Sequence, residues 1–427
     1  MAVFVGVTLE AVNSKGKRVC AHQWRRFSRI WAQCRQAVRL PQGNVNGKAG
    51  PVCLAVTQAI FWRGDGMRQL WMMVVAAGVM LPQAMRAEVV ETGAGPMEIS
   101  RVADGLDEPW ALAFLPDGRF LVTERVGGLW LYAADGTNRL QVSGVPAFVD
   151  EGQGGLLDVM VHSGGEVWLT YAEGQGTGAG TAAAKGRLVD AGLVDVQVVF
   201  QSPEGGSGGR HFGSRLVEAA DGTVFLTIGD RGTGPEGMAA QDGMRAEGKV
   251  IHLNSDGRAA TVQAGMLPGV YSLGHRNPQG AAMDGAGQLW VVEHGAKGGD
   301  ELNLIREGGN YGWPVIAYGE NYDGAKIGVG QARDGMEQPV IYWDPSIAPS
   351  GLMFYSGKLV AEWAGDAFVG SLKFDYLGRL DADAGFAEER IMGEATGRVR
   401  DVIEAPDGAI WFVSVNDGAI YRMGPAP

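Results

Sequence analysis

The chain is 427 residues long, 46% hydrophobic, and carries a net charge of −12 at neutral pH. That is enough chain for a sizeable core, and too acidic a balance for nucleic acid or an anionic membrane to be the main partner. Its 68 glycines follow no collagen period and stand against 18 prolines, which indicates many tight turns and so many short strands.

Residues 1–66 differ from the rest: ten Lys/Arg face two acids there, about +8, so the remainder carries about −20. All three cysteines, Cys20, Cys34 and Cys53, lie in this stretch. Met67 to Glu88 reads MRQLWMMVVAAGVMLPQAMRAE. A start-like Met, one Arg, an apolar run and Ala87 at a plausible cleavage point have the shape of a secretory signal peptide, with a run too short to span a membrane comfortably. The expectation is that Met67 is the natural start, 1–66 a non-native or disordered extension, 67–87 the signal peptide and 88–427 the exported domain. The alternative is an uncleaved N-terminal anchor. From Glu88 onward there is no cysteine, so packing rather than disulfides must hold the domain.

Six segments then repeat one plan: 110–125, 156–173, 215–230, 278–295, 351–373 and 400–417. Each pairs an apolar strand with a second one, usually across an Asp-Gly or Gly-containing turn, as in WALAFLPDGRFLVTER; the fifth is the most degenerate. Such a turn favours positive φ, which glycine supplies, so each segment is a predicted hairpin. The economical fold is all-β, a six-bladed β-propeller; a large β-sandwich does not explain six equivalent turns.

In a propeller, equivalent strand ends share one face around the axis. Gln153, His211 and Arg276 with Asn277 precede the second, third and fourth repeats; Lys373 ends the fifth and Arg398 and Arg400 lead into the sixth. The run GHRNPQG (274–280) is expected to be a loop, because Pro278 donates no ladder hydrogen bond and Arg276 is costly to bury unpaired. Each cation alone reads as surface solvation or a local ion pair. Four at one channel mouth of an acidic protein predict a small polyanion.

GHRNPQG, EHGAKGGDELNLIREGGNYGWP (293–314), GQGGLL, the His211 loop, VGSLKF and GRVRDVI, in their order, resemble the soluble aldose sugar dehydrogenases that use pyrroloquinoline quinone. The similarity runs over about 98–423. It implies a six-bladed propeller and a flat tricarboxylate quinone, with Lys373, Arg398 and Arg400 on its carboxylates and oxygens, and Arg276 and Asn277 beside the reactive carbonyl. His211 would be the general base, a role its intrinsic pKa suits; by itself it reads as a structural histidine. His162, His252, His275 and His294 match no catalytic position. The resemblance also implies Ca²⁺ on the backbone carbonyls of Gly295 and Ala296, and a second, structural calcium at Glu301 and the carbonyl of Tyr311, although Glu301 alone reads as a surface acid.

Two residues depart from the glucose-oxidising members: Arg210 replaces an aspartate and Arg231 a glutamine of the sugar pocket. With Gln153 retained, these three are the candidate substrate contacts. The resulting expectation is a periplasmic or secreted enzyme that oxidises the anomeric carbon of an aldose to a lactone and passes electrons to an external quinone, cytochrome or dye. Two other readings are a non-enzymatic carbohydrate-binding or adhesion propeller and a calcium-dependent propeller lactonase. The latter chemistry wants carboxylates converging on the metal, where this channel is cationic.

Overall fold

The computed structural model describes residues 87–176, 178–203 and 208–427. The expected extension 1–66 and, apart from Ala87, the expected signal peptide lie outside the described residues. Six antiparallel sheets, five of four strands and one of five, form the blades of a β-propeller. Each predicted hairpin supplies the first two strands of one blade. The inner strands, in order, are Pro109–Phe114, Leu156–Val161, Leu216–Glu218, Pro278–Met283, Pro349–Phe354 and Val399–Glu404. They pack in a ring, first against second and sixth against first. Gly118 and Gly408 hold their Asp-Gly turns at φ 87° and 89°, where a Cβ would strain the backbone. The degenerate fifth hairpin has no tight turn. Its strands Pro349–Phe354 and Ala367–Ser371 are joined by a longer connection that buries Trp363.

Blade 6 closes the ring. Its inner three strands, Val399–Glu404, Ile410–Ser414 and Ala419–Pro425, come from the C-terminal end of the chain, and the outer two, Gly95–Ala103 and Glu88–Thr92, from residues 88–103. The seam runs from Met97 opposite Pro425 to Ala103 opposite Ile420. Between blades the sheets present apolar faces. Phe120 and Tyr132 stack at 5.0 Å while Trp411 of blade 6 sets its edge on Phe120 at 5.3 Å. Burying side chains of this size contributes about 1.5–3 kcal/mol each, which is how a domain without cysteine is held.

Partway along the axis a buried ion cluster spans three blades. Arg215 Nη1 lies 2.9 Å from both Asp158 and Asp401. A cavity of about 250 Å³ ends at these three residues, walled by inner-strand positions such as Leu112, Val159, Leu352 and Ile403. Trp110 connects this cluster to the other half of the channel: the guanidinium carbons of Arg215 and Arg400 sit 4.6 and 4.5 Å from its indole centroid.

Candidate active site

The loops that enter the inner strands meet at one mouth, as their equivalent positions require. Two adjoining cavities open there. The larger, about 840 Å³, is lined by Gln153, His211, Arg276, Asn277, residues 294–298, Tyr318, Glu320, Tyr322, Asp344, Lys373 and Arg398, among others. The smaller, about 300 Å³, is lined by Trp110, Arg125, Gln153, Phe212, Asn277, His294, Arg398 and Arg400, among others.

His211 sits between two glycines of the 208–214 loop with φ at 56°, a left-handed backbone uncommon outside glycine and typical of functional sites. Its amide donates to Gln153 Oε1 at 2.8 Å, and its Nδ1 lies 2.6 Å from Asp230 Oδ1. Asp230 follows the strand Val224–Ile228 and is nearly inaccessible; it also accepts from Trp313 Nε1 at 2.8 Å and from the amides of Gly232 and Gly234. With an ionised Asp230 the proton belongs on Nδ1, leaving the lone pair on Nε2. Burial holds the imidazole below its ordinary pKa, aided by Arg276 and Arg210 and opposed by Asp230, so the neutral form dominates at neutral pH. Gly229 permits this approach: a Cβ there would stand 2.1 Å from the His211 carbonyl oxygen.

The run expected as a loop is buried throughout, and from Pro278 onward it is strand. Pro278 is tolerated because it is the first residue of its strand. Burial is compensated by hydrogen bonds. His275, fully buried, lies 2.8 Å from Glu293 Oε1 and 2.9 Å from Ser272 Oγ, and the other Glu293 oxygen accepts the Arg276 amide at 2.7 Å. The Arg276 side chain donates to the His294 carbonyl at 3.2 Å and lies 5.2 Å from the Trp313 ring centroid, while its buried Nε has no partner. Asn277 Oδ1 accepts from the Gly213 amide and from Gln279, which ties this loop to that of His211.

Charge is distributed unevenly here. Arg125 pairs with Glu108 and Asp150, and Arg215 with Asp158 and Asp401. Among the described residues, Arg276, Lys373, Arg398 and Arg400 make no ion pair. Burial, with Arg215, Arg398 and Arg125 nearby, pulls the Arg400 guanidinium down to about 9. Trp110 Nε1 is a buried donor without a partner, on the wall of the same small cavity. A set of uncompensated cations and unpaired donors suits a compact anion with several acceptor oxygens.

Gly295 and Ala296 line the large cavity. Glu301 and Tyr311 instead border a separate internal space of about 20 Å³, beside Glu293 and Gly295. The Tyr311 hydroxyl is occupied, donating to the Leu304 carbonyl and accepting from the Arg306 amide. Burial, Glu293 and Asp300 together push the Glu301 carboxyl well above the usual carboxylate range. Glu293 accepts from His275 and the Arg276 amide and Glu301 from Asn303, and the remaining carboxylate lone pairs beside this small space could still serve a hard cation. Among the described residues, no group of three or more His, Cys, Asp or Glu side chains is arranged to hold a metal, so backbone carbonyls would have to complete either site.

The structure does not bring Arg210 and Arg231 to either cavity wall. Arg231, with φ at 54°, turns its side chain inward behind Phe212, its guanidinium carbon 3.4 Å from that ring centroid, and donates to the carbonyls of Ala179 and Arg210. It is 2% exposed. Arg210 is exposed and its side chain runs over Gly232. Asp230, Trp110 and His294 are site residues that sequence reasoning missed. Asp230 closes the repeat segment 215–230, where its polar strand end is the one available signal. Trp110 reads as an ordinary core residue, and His294 as a loop position without a role.

The chain has recognisable relatives. Residues 106–422 match the family model described as Glucose / Sorbosone dehydrogenase. Aldose sugar dehydrogenase YliI of Escherichia coli is 37% identical over 348 residues, spanning 77% of this chain and 93% of the relative. Among solved structures, the apo-form of the soluble aldose sugar dehydrogenase from Escherichia coli superposes with a TM-score of 0.73 at 36% identity, covering 77% of this chain and all of that one. The PQQ-bound aldose sugar dehydrogenase of Streptomyces coelicolor gives 0.62 at 26% identity, covering 80% and 98%.

Proposed function

Because the chain belongs to the glucose/sorbosone dehydrogenase family, we propose that it is a pyrroloquinoline-quinone-dependent aldose dehydrogenase that converts the anomeric alcohol of a sugar to a lactone. The observation that carries this reading is the juxtaposition of an oriented His211–Asp230 pair with four cations that have no ion-pair partner at the same mouth. Pyrroloquinoline quinone, when bound, would supply the two-electron acceptor for the hydride leaving the anomeric carbon. Lys373, Arg398 and Arg400 would hold its carboxylates and oxygens, with Trp110 Nε1 as a further donor. Arg276 and Asn277 would flank its reacting carbonyl.

The rest of the chemistry belongs to the chain. His211 accepts the anomeric hydroxyl proton at Nε2 while Asp230 receives the Nδ1 hydrogen bond and stabilises the imidazolium that forms. The fixed positive charge of Arg276 favours electron density arriving beside it. Gln153 holds the His211 backbone and has its remaining amide group for the sugar or cofactor. The carbonyls of Gly295 and Ala296 would hold a Ca²⁺ beside the cofactor, and Glu301 with the Tyr311 carbonyl a structural Ca²⁺. Arg231 would act on the pocket from behind, through Phe212 and through its hydrogen bonds to the Arg210 and His211 carbonyls.

The pattern of Met67 to Ala87 supports export, to the periplasm or medium, with a mature chain from about Glu88, where the first strand begins. No helix among the described residues is long and apolar enough to cross a membrane. Electrons would pass to an external quinone or cytochrome, for which a dye can substitute. The test is to load purified protein with the quinone and Ca²⁺ and follow dye reduction over a panel of aldoses. Bound cofactor with no aldose oxidised would defeat the proposal and favour a carbohydrate-binding role.

A further inference from the structure

Lys249, the first residue of the blade 3 strand Lys249–Leu253, carries a charge that the chemistry above does not use. It is fully buried, and its Nζ donates to three backbone carbonyls, those of Ala239 and Ala240 at 3.0 Å and of Glu247 at 2.7 Å. Among the described residues no carboxylate pairs with it; the Glu247 side chain is taken by Arg245 at 2.6 Å. An ammonium ion has three protons to give and accepts none, whereas a water or an amide offers two. Three converging carbonyls are therefore the surroundings of a cation, supplied here by the chain itself. Burial pulls its pKa down to about 7 against Glu247 and Asp242, with Arg245 adding to the pull, and the three carbonyl dipoles favour the charged form.

These carbonyls belong to the connection that follows Asp230, between the strands Val224–Ile228 and Lys249–Leu253. Its neighbours are the parts of the site that hold the base. The Ala240 carbonyl also accepts the Gly274 amide at 2.9 Å, and the Gly248 carbonyl the His275 amide at 3.2 Å, both in the run that presents Arg276. The next side chain, Gln241, donates to the Trp313 carbonyl at 2.8 Å and exchanges hydrogen bonds with the Asn310 side chain. Trp313 in turn gives its indole N–H to Asp230. We propose that Lys249 is a positioning residue for proton transfer: its ammonium ion fixes the turn that carries Gln241, and through Gln241 and Trp313 it holds Asp230 against His211. Without the cation three buried carbonyls lose a donor, and that turn must rearrange or open to water. This rests on the aldose-oxidising reading.

Lys249→Met keeps the apolar stem and removes the cation. In enzyme loaded with quinone and Ca²⁺, kcat for the best aldose of the panel should fall roughly tenfold or more, while KM and quinone affinity stay within about twofold of wild type. Lys249→Ala leaves room for a small ammonium ion, so added methylammonium should restore kcat and tetramethylammonium, which has no N–H, should not. The apo protein gives a readout that needs no turnover: the proton between His211 Nδ1 and Asp230, only 2.6 Å apart, should resonate far downfield in proton NMR and shift or broaden in Lys249→Met. If that variant does not fold, Gln241→Leu cuts the link to Trp313 with Lys249 in place and should give the same fall in kcat and the same NMR change. An unchanged kcat per quinone-loaded site, a loss confined to stability or KM, or rescue by both ammonium ions alike overturns the positioning role. A wild type that binds quinone and oxidises no aldose overturns the function reading instead, and the NMR signal then decides the part of Lys249.

Discussion

Asp230→Asn separates a working proton-transfer pair from a merely structural one. In the wild type Asp230 holds Nδ1 of His211 at 2.6 Å and Trp313 Nε1 at 2.8 Å, so the substitution keeps size and removes charge. A neutral amide no longer favours the tautomer with its lone pair on Nε2, nor does it stabilise the imidazolium formed when the sugar proton arrives. Loss of an oriented base costs roughly 10²–10⁴ in kcat, about 3–5 kcal/mol of barrier. The pH profile gives the second readout. His211 works when neutral, so kcat/KM rises with pH through its pKa. Burial lowers that pKa and Asp230 raises it; removing Asp230 lets burial and Arg276 act unopposed. The acid limb should therefore move to lower pH while the plateau falls. The assay is steady-state dye reduction across pH, with cofactor occupancy checked by absorbance. A plateau loss of less than about tenfold, or an acid limb displaced to higher pH, would refute the assignment.

Other perturbations probe the rest of the site. Arg400→Met removes a cation crowded by Arg215, Arg398 and Arg125, so apo thermal stability should hold or rise by about 1 kcal/mol. Quinone affinity in the same variant should fall roughly ten- to a hundredfold, as fluorescence titration would show; equal weakening of both would place Arg400 in the scaffold alone. Ca²⁺ at about a hundred times its Kd should stabilise the protein by about 2.7 kcal/mol, and Glu301→Gln should abolish most of that gain in calorimetry; an undiminished calcium response in the variant would remove Glu301 from the site. Arg215→Met strands Asp158 and Asp401 and should cost about 3–5 kcal/mol in denaturant unfolding, because two buried carboxylates lose their shared cation. Unaltered stability would show that water compensates them.

The blades were legible because their signals are local. An apolar run, Asp-Gly and another apolar run define a hairpin wherever it lies; the degenerate fifth copy, whose strands are joined by a longer connection, was legible from its two apolar runs alone. The outer strands are less informative: Gly192–Gln201 alternates over Val194-Asp195-Val196-Gln197-Val198 yet exposes all three valines, so its pattern does not report a buried face. The closure of blade 6 by Gly95–Ala103 escaped because pairing partners more than 300 residues apart leave no trace in either segment. At the site, strand-end position brought Gln153, His211, Arg276, Lys373 and Arg398 to one cavity. Direction was harder. Arg231 sits one residue from Asp230, yet its left-handed backbone sends it behind Phe212 while Asp230 faces His211. Neither outcome is encoded in spacing; both follow from which neighbour's hydrogen bonds and rings are within reach once the blades have packed.

The seam in blade 6 also sets a timetable. A ribosome makes residues 95–103 more than 300 residues before their partners 419–425, so the ring remains an open arc until the strand Ala419–Pro425 is made. His211 comes from blade 3 and Arg400 from blade 6, and an arc does not hold their loops in register around the axis. A nascent chain therefore offers no chamber for a charged quinone, and a C-terminal strand remote from every reacting atom controls when one appears. Quinone capture should then report ring closure, and clipping Ala419–Pro425 should abolish it.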